Sequence, residues 1–176
     1  KSVLKILKPD CQIIELDHVT EGAACTTLLA KKYINNDNPL IISNSDQYIK
    51  WNSSKSLYNF STKKHDGAIL TFEAIHPKWS YAKCDEKNFV SEVAEKKVIS
   101  KNATVGVYYW KKGSDYVKYA EKMIKKNIRV NNEFYVCPVY NEAIKDNKKI
   151  VIEAVDEMHG LGTPEDLNNF IQYLKD

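Results

Sequence analysis

Short apolar runs rich in β-branched residues recur along the chain, separated by polar turn residues. These runs predict β-strands, and they span residues 12–16, 40–43, 68–72, 89–93, 103–110 and 149–155, with residues 81–83 as the partner of 89–93. Residues 40–43 are almost uniformly apolar, which predicts a strand buried on both faces. The polar tetrapeptide 85–88 lies between two of the runs and predicts a β-hairpin.

Helical patterns lie between the strand-like runs. Residues 23–30 are rich in Ala and Leu, and residues 113–127 place apolar side chains on one stripe. The last predicted helix has Thr163 as its N-cap, Pro164 at its first position and Asp166 at the capping-box position. This alternation predicts one α/β domain, with a central mixed, mostly parallel sheet flanked by helices and a small β-hairpin region.

Composition narrows the classes of function. The chain has 176 residues with a net charge of +3, which is too small to indicate a nucleic-acid or membrane partner. Arg129 is its only arginine, and arginine makes many of the bidentate contacts by which proteins read nucleic acids. The sequence lacks the run of about 18 apolar residues that predicts a membrane helix. Its four cysteines are far apart, which favours free thiols in a reducing cytoplasm over disulfides or a zinc site.

The first candidate for chemistry is the polar cluster Asn44-Ser45-Asp46, directly after the apolar run 40–43. Ligands of open α/β sheets bind at the carboxyl ends of strands. A carboxylate held there, at Asp46, can coordinate Mg²⁺ together with substrate phosphates. The alternative is an Asx turn that only ends the strand.

Three other segments carry weaker signals. Residues 21–23 are small where a turn enters a helix, which permits close approach of a flat ligand or is an ordinary capped helix start. Glu95 and Lys96 offer a hydroxyl acceptor beside a phosphate-binding cation, or form a solvated charge run. Gly106 interrupts a strong strand pattern and marks either a bulge or the close approach of a backbone or ligand.

Taken in order, these features resemble one family. They are Asn44-Ser45-Asp46 after a strand, the pair Glu95-Lys96, the strand 103–109 with Gly106, and the Gly-Thr-Pro-Glu-Asp-Leu stretch 162–167. From about residue 13 to residue 174 the chain resembles the sugar-phosphate nucleotidyltransferases, or nucleoside-diphosphate-sugar pyrophosphorylases. The resemblance implies a Rossmann-like nucleotidyltransferase fold and an Mg²⁺-dependent reaction. In that reaction a phosphate monoester attacks the α-phosphate of a nucleoside triphosphate and releases pyrophosphate.

The resemblance also implies a role for each candidate residue. It implies that Asp46 binds the metal ion and that Lys96 binds the acceptor phosphate, so these two residues are the catalytic candidates. Glu95 would hold hydroxyl groups of the acceptor, and Gly106 would leave room for its ring. The remaining assignments are Glu21, Gly22 and Ala23 against the nucleobase, and Tyr81 and Asn141 in the acceptor pocket.

The chain departs from the family pattern in two places. It has six glycines but lacks the glycine-rich loop with an arginine, and the proline-lysine pair after it, that cradle the triphosphate in the family. We therefore expect the single domain 1–176 to lack the N-terminal part of the family domain and to be inactive alone. The family's second metal-binding carboxylate corresponds to Gly160 here. Asp156 or Glu157 is the predicted substitute, whereas Asp166 is explained by helix capping.

The functional hypothesis is transfer of a nucleoside monophosphate to a sugar phosphate or another small phosphomonoester, such as a phosphorylated amino alcohol or amino acid. The product would be a precursor of surface polysaccharide such as a capsule. The expected partners are a nucleoside triphosphate and the phosphomonoester, without nucleic acid or membrane. The alternatives are a glycosyltransferase of related fold, or a non-catalytic regulatory or scaffolding homologue, which the missing carboxylate at Gly160 favours. The base, the acceptor and the oligomeric state stay open.

Overall fold

A computed structural model describes residues 2–175 of the chain. The helices are α1 Ser2–Leu7, α2 Ala23–Leu28, α3 Lys31–Ile34, α4 Ser53–Thr62, α5 Gly113–Lys125, α6 Val139–Lys145 and α7 Pro164–Tyr173. The strands are β1 Leu40–Ser43, β2 Gln47–Lys50, β3 Gly67–Glu73, β4 Tyr81–Cys84, β5 Val90–Ala94, β6 Asn102–Trp110, β7 Ile150–Ala154 and β8 Glu157–Gly160. Within residues 2–175, every helix is too short or too polar to cross a membrane.

Strand β6 is the centre of the main sheet. One of its edges pairs with β3, and its other edge pairs with β4 near Ala103 and with β1 from Val107 to Trp110. The β4–β5 hairpin extends one side, and β7 extends the other by pairing parallel to β3. The predicted mixed sheet with flanking helices and a hairpin is confirmed. The predicted mostly parallel pairing is corrected: in the described main sheet β3–β7 is the parallel pair, and β6 runs antiparallel to β1, β3 and β4.

The two faces of the sheet bury different side chains, since successive residues of a strand point to opposite faces. Ile69, Tyr108 and Trp110 belong to the core that α2, α5 and α6 complete. Leu70 and Tyr109 belong to a second, smaller core on the opposite face, where Phe60 of α4 packs. Helices therefore cover both faces of the sheet, as the α/β pattern predicts.

The last helix confirms the capping prediction. The Thr163 hydroxyl accepts a hydrogen bond from the backbone N–H of Asp166 at 3.1 Å, and Pro164 is the first residue of α7. Before α7, strand β8 pairs antiparallel with β2, so that Gln47 lies opposite Gly160. This small sheet brings the segment after β1 next to the segment before α7.

Two predicted strand features are wrong. Residues 12–16 form no strand, and Leu16 there is 42% exposed. Strand β1 is not buried on both faces, because Ile41 is 43% exposed and β1 pairs with β6 along one edge. In both segments, apolar side chains that the sequence pattern predicts to be buried are instead exposed to solvent. Strands β2 and β8 and helix α6 were not predicted, since each is too short to show a clear period.

Candidate active site

Two adjoining cavities lie beside the ends of β1 and β8. The larger has a volume of about 300 Å³ and the smaller about 150 Å³. Both are lined by Asn44, Gln47, Lys78 and Trp79, and we call the two cavities together the cleft. The cleft therefore includes the polar cluster after β1 that the sequence singles out.

Gly106 lies in the wall of the larger cavity and is both a bulge and a point of close approach. Ile69 pairs with Tyr108 and Thr71 with Thr104, so three residues of β6 face one residue of β3. Gly106 has a φ of +73°, and a Cβ at this position would lie 2.4 Å from Nδ2 of Asn44. Gly106 thus forms a bulge and also permits a close approach, the two alternatives that the sequence left open. The group that approaches is the side chain of Asn44.

Asp46 lines the smaller cavity and is exposed. Its backbone carbonyl accepts a hydrogen bond from the N–H of Leu161 at 2.8 Å. A Cβ at Gly162 would lie 2.7 Å from Oδ2 of Asp46, so the glycine leaves space for the carboxylate. The Gly-Leu-Gly segment before α7 therefore positions the predicted metal ligand.

Asp166 lines the same small cavity, where sequence reasoning gave it only a capping role. Its Oδ2 accepts a hydrogen bond from Thr163 at 2.8 Å, and its Oδ1 lies 3.6 Å from Nζ of Lys78. A Cβ at Gly160 would be 3.6 Å from the Asp166 carboxylate. The carboxylate that residue 160 lacks is thus present nearby, on the first turn of α7.

Neither predicted substitute for that carboxylate lines the cleft. Asp156 is exposed and is absent from the described lining of both cavities. It lies in the turn between β7 and β8, and its backbone N–H donates to the carbonyl of Lys50 at 2.9 Å, at the end of the β2–β8 pairing. Glu157 pairs with Lys50 at 2.7 Å and accepts a hydrogen bond from Tyr173. The structure brings Asp46 and Asp166 to the cleft and leaves Asp156 and Glu157 outside it.

Glu95 lines the larger cavity and has an unusual environment for a carboxyl group. Burial raises its pKa, whereas a hydrogen bond from the Ser80 hydroxyl and the charge of Lys96 act in the opposite direction. Ser80 also lines this cavity. The pair offers polar atoms to hydroxyl groups of a ligand in a partly dry setting.

Lys96 has a left-handed backbone conformation, with φ of +53°. The other described non-glycine residues with positive φ are all asparagines, which tolerate this region better than lysine does. The Lys96 ammonium donates to the Tyr135 hydroxyl at 2.8 Å, and this hydrogen bond raises the pKa of Lys96. Tyr135 lines the larger cavity and Lys96 itself does not, so the hydrogen bond to Tyr135 holds the ammonium at the rim of that cavity.

The turn at residues 21–23 reaches the cleft through Ala23, which lines the larger cavity. Gly22 has a φ of +124°, and a Cβ there would lie 2.6 Å from the backbone of Phe134. The Glu21 carboxylate pairs with Arg129, the only arginine. The glycine is therefore required by contact with the protein's own backbone, whatever ligand binds beside Ala23.

Comparisons with known proteins support the family resemblance. No protein-family model matches the sequence, and a search of curated proteins found no match. Among solved structures, the nucleoside-diphosphate-sugar pyrophosphorylase of Vibrio cholerae RC9 is 25% identical, with a TM-score of 0.73 over 91% of this chain and 68% of that chain. This similarity in sequence and fold supports a sugar-phosphate nucleotidyltransferase-like family for the chain.

A second solved structure shares the nucleotidyltransferase-like fold at lower identity. It is described as a glucose-1-phosphate thymidylyltransferase of Bacillus anthracis, solved in complex with a sucrose. The identity is 14%, and the TM-score is 0.76 over 99% of this chain and 72% of that chain. This similarity shows the fold alone. It agrees with the observed sheet and its flanking helices.

Two residues assigned to the acceptor pocket of this nucleotidyltransferase-like chain are structural. Tyr81 is fully buried, and its hydroxyl donates to the carbonyl of His76 at 2.7 Å. The Asn141 side chain accepts from the N–H of Val93 at 2.9 Å and donates to its carbonyl at 2.8 Å, which ties α6 to β5. Neither Tyr81 nor Asn141 is in the described lining of the cleft.

The donor set of the small cavity fits a magnesium ion. Mg²⁺ favours one or two carboxylates completed by substrate phosphates and water. Asp46 and Asp166 supply the two carboxylates, and Asn44 adds an amide beside them. Three or more His, Cys, Asp or Glu residues do not gather into a metal site anywhere in residues 2–175. Substrate phosphate and water would therefore complete the coordination.

Sequence reasoning missed several residues that line the cleft, and they are Gln47, Lys78, Trp79, Ser80 and Tyr135. Gln47 begins a strand that was not predicted, and Lys78 precedes the predicted strand at residue 81. A basic residue next to an aromatic one, as in Lys78-Trp79, was the available signal. It is too common on protein surfaces to predict a site without the fold.

Proposed function

We propose that this chain is the acceptor-binding and metal-binding part of a nucleotidyltransferase that uses a small phosphomonoester. The observation that carries the proposal is the arrangement of the cleft. Glu95, the candidate for acceptor hydroxyls, lines the larger cavity, and Asp46, the candidate metal ligand, lines the adjoining one. A phosphomonoester bound beside Glu95 would thus direct its phosphate towards Asp46.

The proposed reaction is a substitution at the α-phosphorus of a nucleoside triphosphate. An oxygen of the acceptor phosphate forms the new P–O bond, and the bond from the α-phosphorus to the bridging oxygen breaks, so that pyrophosphate leaves. Because the acceptor is already a dianion, the protein mainly aligns the reactants and stabilises charge. Lys96 supplies positive charge at the rim of the acceptor cavity.

Asp46 and Asp166 would hold Mg²⁺ at the small cavity. The ion, when bound, would neutralise phosphate charge as it develops in the reaction. Gly160 and Gly162 leave space for the two carboxylates, so both can face the same ligand. The case for a non-catalytic homologue rested on the missing carboxylate at residue 160, and Asp166 weakens that case.

The acceptor class follows from the larger cavity. Glu95 and Ser80 favour hydroxyl groups, so a sugar phosphate is our first expectation and a phosphorylated amino alcohol or amino acid the second. A role in the cytoplasm, in making precursors of surface polysaccharide such as capsule, is part of the proposal. The chain lacks the family's triphosphate loop, and we predict that residues 1–176 alone are inactive.

Pyrophosphate release is the test of this proposal. The natural gene product is incubated with Mg²⁺, each nucleoside triphosphate and a panel of sugar 1-phosphates and phosphorylated amino alcohols, with residues 1–176 assayed in parallel. We expect release with one class of acceptor, and a loss of about 100- to 1000-fold in Asp46→Asn, as for other charge-stabilising groups. The matched control is Asp17→Asn, because Asp17 is exposed and outside the cleft.

The outcomes separate the proposal from its rivals. Silence of the natural gene product across the whole panel contradicts it. Release of nucleoside diphosphate from a nucleotide sugar would favour a glycosyltransferase. Partner binding that is unchanged in Asp46→Asn, in a protein that never releases pyrophosphate, would favour a scaffold.

A further inference from the structure

The junction of the two cavities contains one basic side chain, that of Lys78. Of the residues that line either cavity in the described part of the chain, it alone is basic. Lys96, the phosphate-binding candidate from the sequence, is at the rim and its ammonium is bonded to Tyr135. The positive charge located between the acceptor side and the carboxylate side of the cleft is therefore that of Lys78.

The Lys78 ammonium is held in place without losing its hydrogen-bonding capacity. It lies 4.6 Å from the ring centroid of Trp79, and 3.6 Å from Oδ1 of Asp166. The second distance is longer than a hydrogen bond. No side chain or carbonyl in residues 2–175 accepts a hydrogen bond from Nζ of Lys78, and the side chain is 48% exposed. All three ammonium donors thus remain available to a ligand.

Gln47 provides a second, independent sign of a ligand at the junction. Its side-chain nitrogen is buried and has no hydrogen-bond partner among the described residues. A buried donor without a partner destabilises a protein, because its hydrogen bond to water is lost and not replaced. Gln47 lines both cavities, as Lys78 does. A rotation of the Gln47 amide towards the junction would bring this donor to an oxygen-rich anion, which would then bind the amide and the ammonium together.

The charge balance favours a phosphate over a carboxylate ligand. Asp46 and Asp166 line the small cavity and repel an anion there. An anion at the junction therefore needs some oxygens that contact Lys78 and Gln47, and other oxygens that bind a cation held by the two carboxylates. A tetrahedral phosphate can present oxygens in both directions, and Mg²⁺ commonly bridges carboxylates and phosphates.

We propose that Lys78 and Gln47 form a phosphate-binding site at the junction of the two cavities. The ligand is a phosphate group, either that of the acceptor or the α-phosphate of the nucleotide. Its place in a reaction rests on the proposed function, but phosphate binding itself does not. Lys78 then acts on the phosphate directly, and Lys96 is a second contact from the rim.

Calorimetric titration measures this site without any turnover. The probes are inorganic phosphate and glucose 1-phosphate, with glucose as the phosphate-free reference, each with and without Mg²⁺. For Lys78→Gln we expect phosphate affinity to fall about tenfold, the loss typical of one charged hydrogen bond. Lys78→Arg keeps the charge and should stay within about threefold of the natural protein. Lys125→Gln, an exposed lysine on α5, is the control and should change nothing.

Asp166→Asn distinguishes a ligand site from a structural ion pair. If Lys78 only pairs with Asp166, neither Lys78→Gln nor Asp166→Asn changes phosphate affinity. The proposal predicts that Asp166→Asn binds inorganic phosphate more tightly without Mg²⁺, since a repelling charge is gone. Equal phosphate affinity in Lys78→Gln and the natural protein, or no phosphate binding at all, overturns the proposal.

Kinetics of the natural gene product assign the phosphate to its source. A raised KM for the acceptor alone in Lys78→Gln identifies the acceptor phosphate, and a raised KM for the triphosphate alone identifies the α-phosphate. If turnover exists and neither parameter nor kcat changes, the Lys78 proposal fails and the proposed function stands. If no turnover exists but Lys78→Gln still weakens phosphate binding, the proposed function fails and the phosphate site stands.

Discussion

Strand β6 belongs to two regions that are held together in different ways. At its end, Trp110 stacks on Tyr140 with ring centroids 4.2 Å apart and planes at 7°, under α5 and α6. In its middle, Gly106 interrupts the strand and contacts Asn44 of the cleft. The first region is dry and aromatic, whereas Asp46 in the second is exposed.

The difference shows how stability and ligand binding can be separated on one strand. Burial of apolar surface stabilises the α5–α6 side, by about 25 cal/mol per Å². The cleft keeps its polar groups accessible, so their positions depend on backbone conformations such as the positive φ of Gly106 and Lys96. Substitutions in the first region should affect stability, and substitutions in the second should affect the site.

The largest effect on stability is expected from Trp110→Ala. Trp110 is 1% exposed, and truncation would leave a cavity among its aromatic neighbours. We expect the free energy of unfolding to fall by about 3–5 kcal/mol, measured by urea denaturation. Trp51→Ala is the matched control, because Trp51 is only partly buried at the edge of the smaller core. Equal losses in the two variants would show that the α5–α6 side is not the more tightly packed region.

Gly106→Ala should disturb the cleft more than the core. The new Cβ would meet the Asn44 side chain at 2.4 Å, and alanine disfavours a φ of +73°. We expect a loss of about 1–3 kcal/mol in the free energy of unfolding. Binding of phosphomonoesters should weaken as well, because Asn44 must move.

Two other glycines serve as controls for Gly106→Ala. A Cβ at Gly160 makes no contact closer than 3.6 Å, so Gly160→Ala should leave stability nearly unchanged. A Cβ at Gly162 would meet the end of the Asp46 side chain at 2.7 Å, which can move at little cost. Gly162→Ala should therefore reduce Mg²⁺ affinity, measured by calorimetry, with little loss of stability. Similar stability in all three variants would contradict the role given to Gly106.

A smaller, pH-dependent effect is expected from Glu142→Gln on α6. Glu142 is fully buried, and burial alone would raise its pKa, but hydrogen bonds from Lys126 at 2.7 Å and Lys145 at 2.6 Å lower it below the ordinary 4.5. A lowered pKa in the folded state means that the carboxylate stabilises the fold above pH 4.5, and that this contribution disappears as pH falls through the folded-state value.

The measurement is urea denaturation of both proteins between neutral and acidic pH. We expect Glu142→Gln to be less stable by about 1–2 kcal/mol near neutral pH, with the difference shrinking below pH 4.5. Glu121→Gln is the control, since Glu121 pairs with Lys31 on the surface with side chains 48% and 47% exposed. A difference that is constant with pH would show that the charge of Glu142 is not the cause.

Much of the fold could be predicted because its signals are local. Thr163 and Pro164 define the start of α7 through contacts within one turn, and the β4–β5 hairpin follows from turn residues that include Asn88 with φ of +61°. The long run of β-branched and aromatic residues in β6 has no competing helical period. These features need no knowledge of the rest of the chain.

The failures share the opposite cause. The run 12–16 has a strand-like sequence, but a strand needs a partner, and the described sheet offers it none. Strand β1 has the composition of a central strand and lies beside β6 at an edge where Ile41 is exposed. Local propensity cannot report whether a neighbouring layer is present.

The residues of the candidate site likewise fall into those that local sequence features predict and those that only contacts between distant segments reveal. The sequence alone determined that Asp46, Glu95 and Gly106 follow or interrupt strands, because strand ends and breaks are local features. Only the tertiary structure decided that Lys78 and Asp166 lie 3.6 Å apart in the same cleft, or that Phe134 takes the space beside Gly22. Those contacts join segments far apart in the chain, and strand pairing and helix packing, rather than any spacing in the sequence, bring them together.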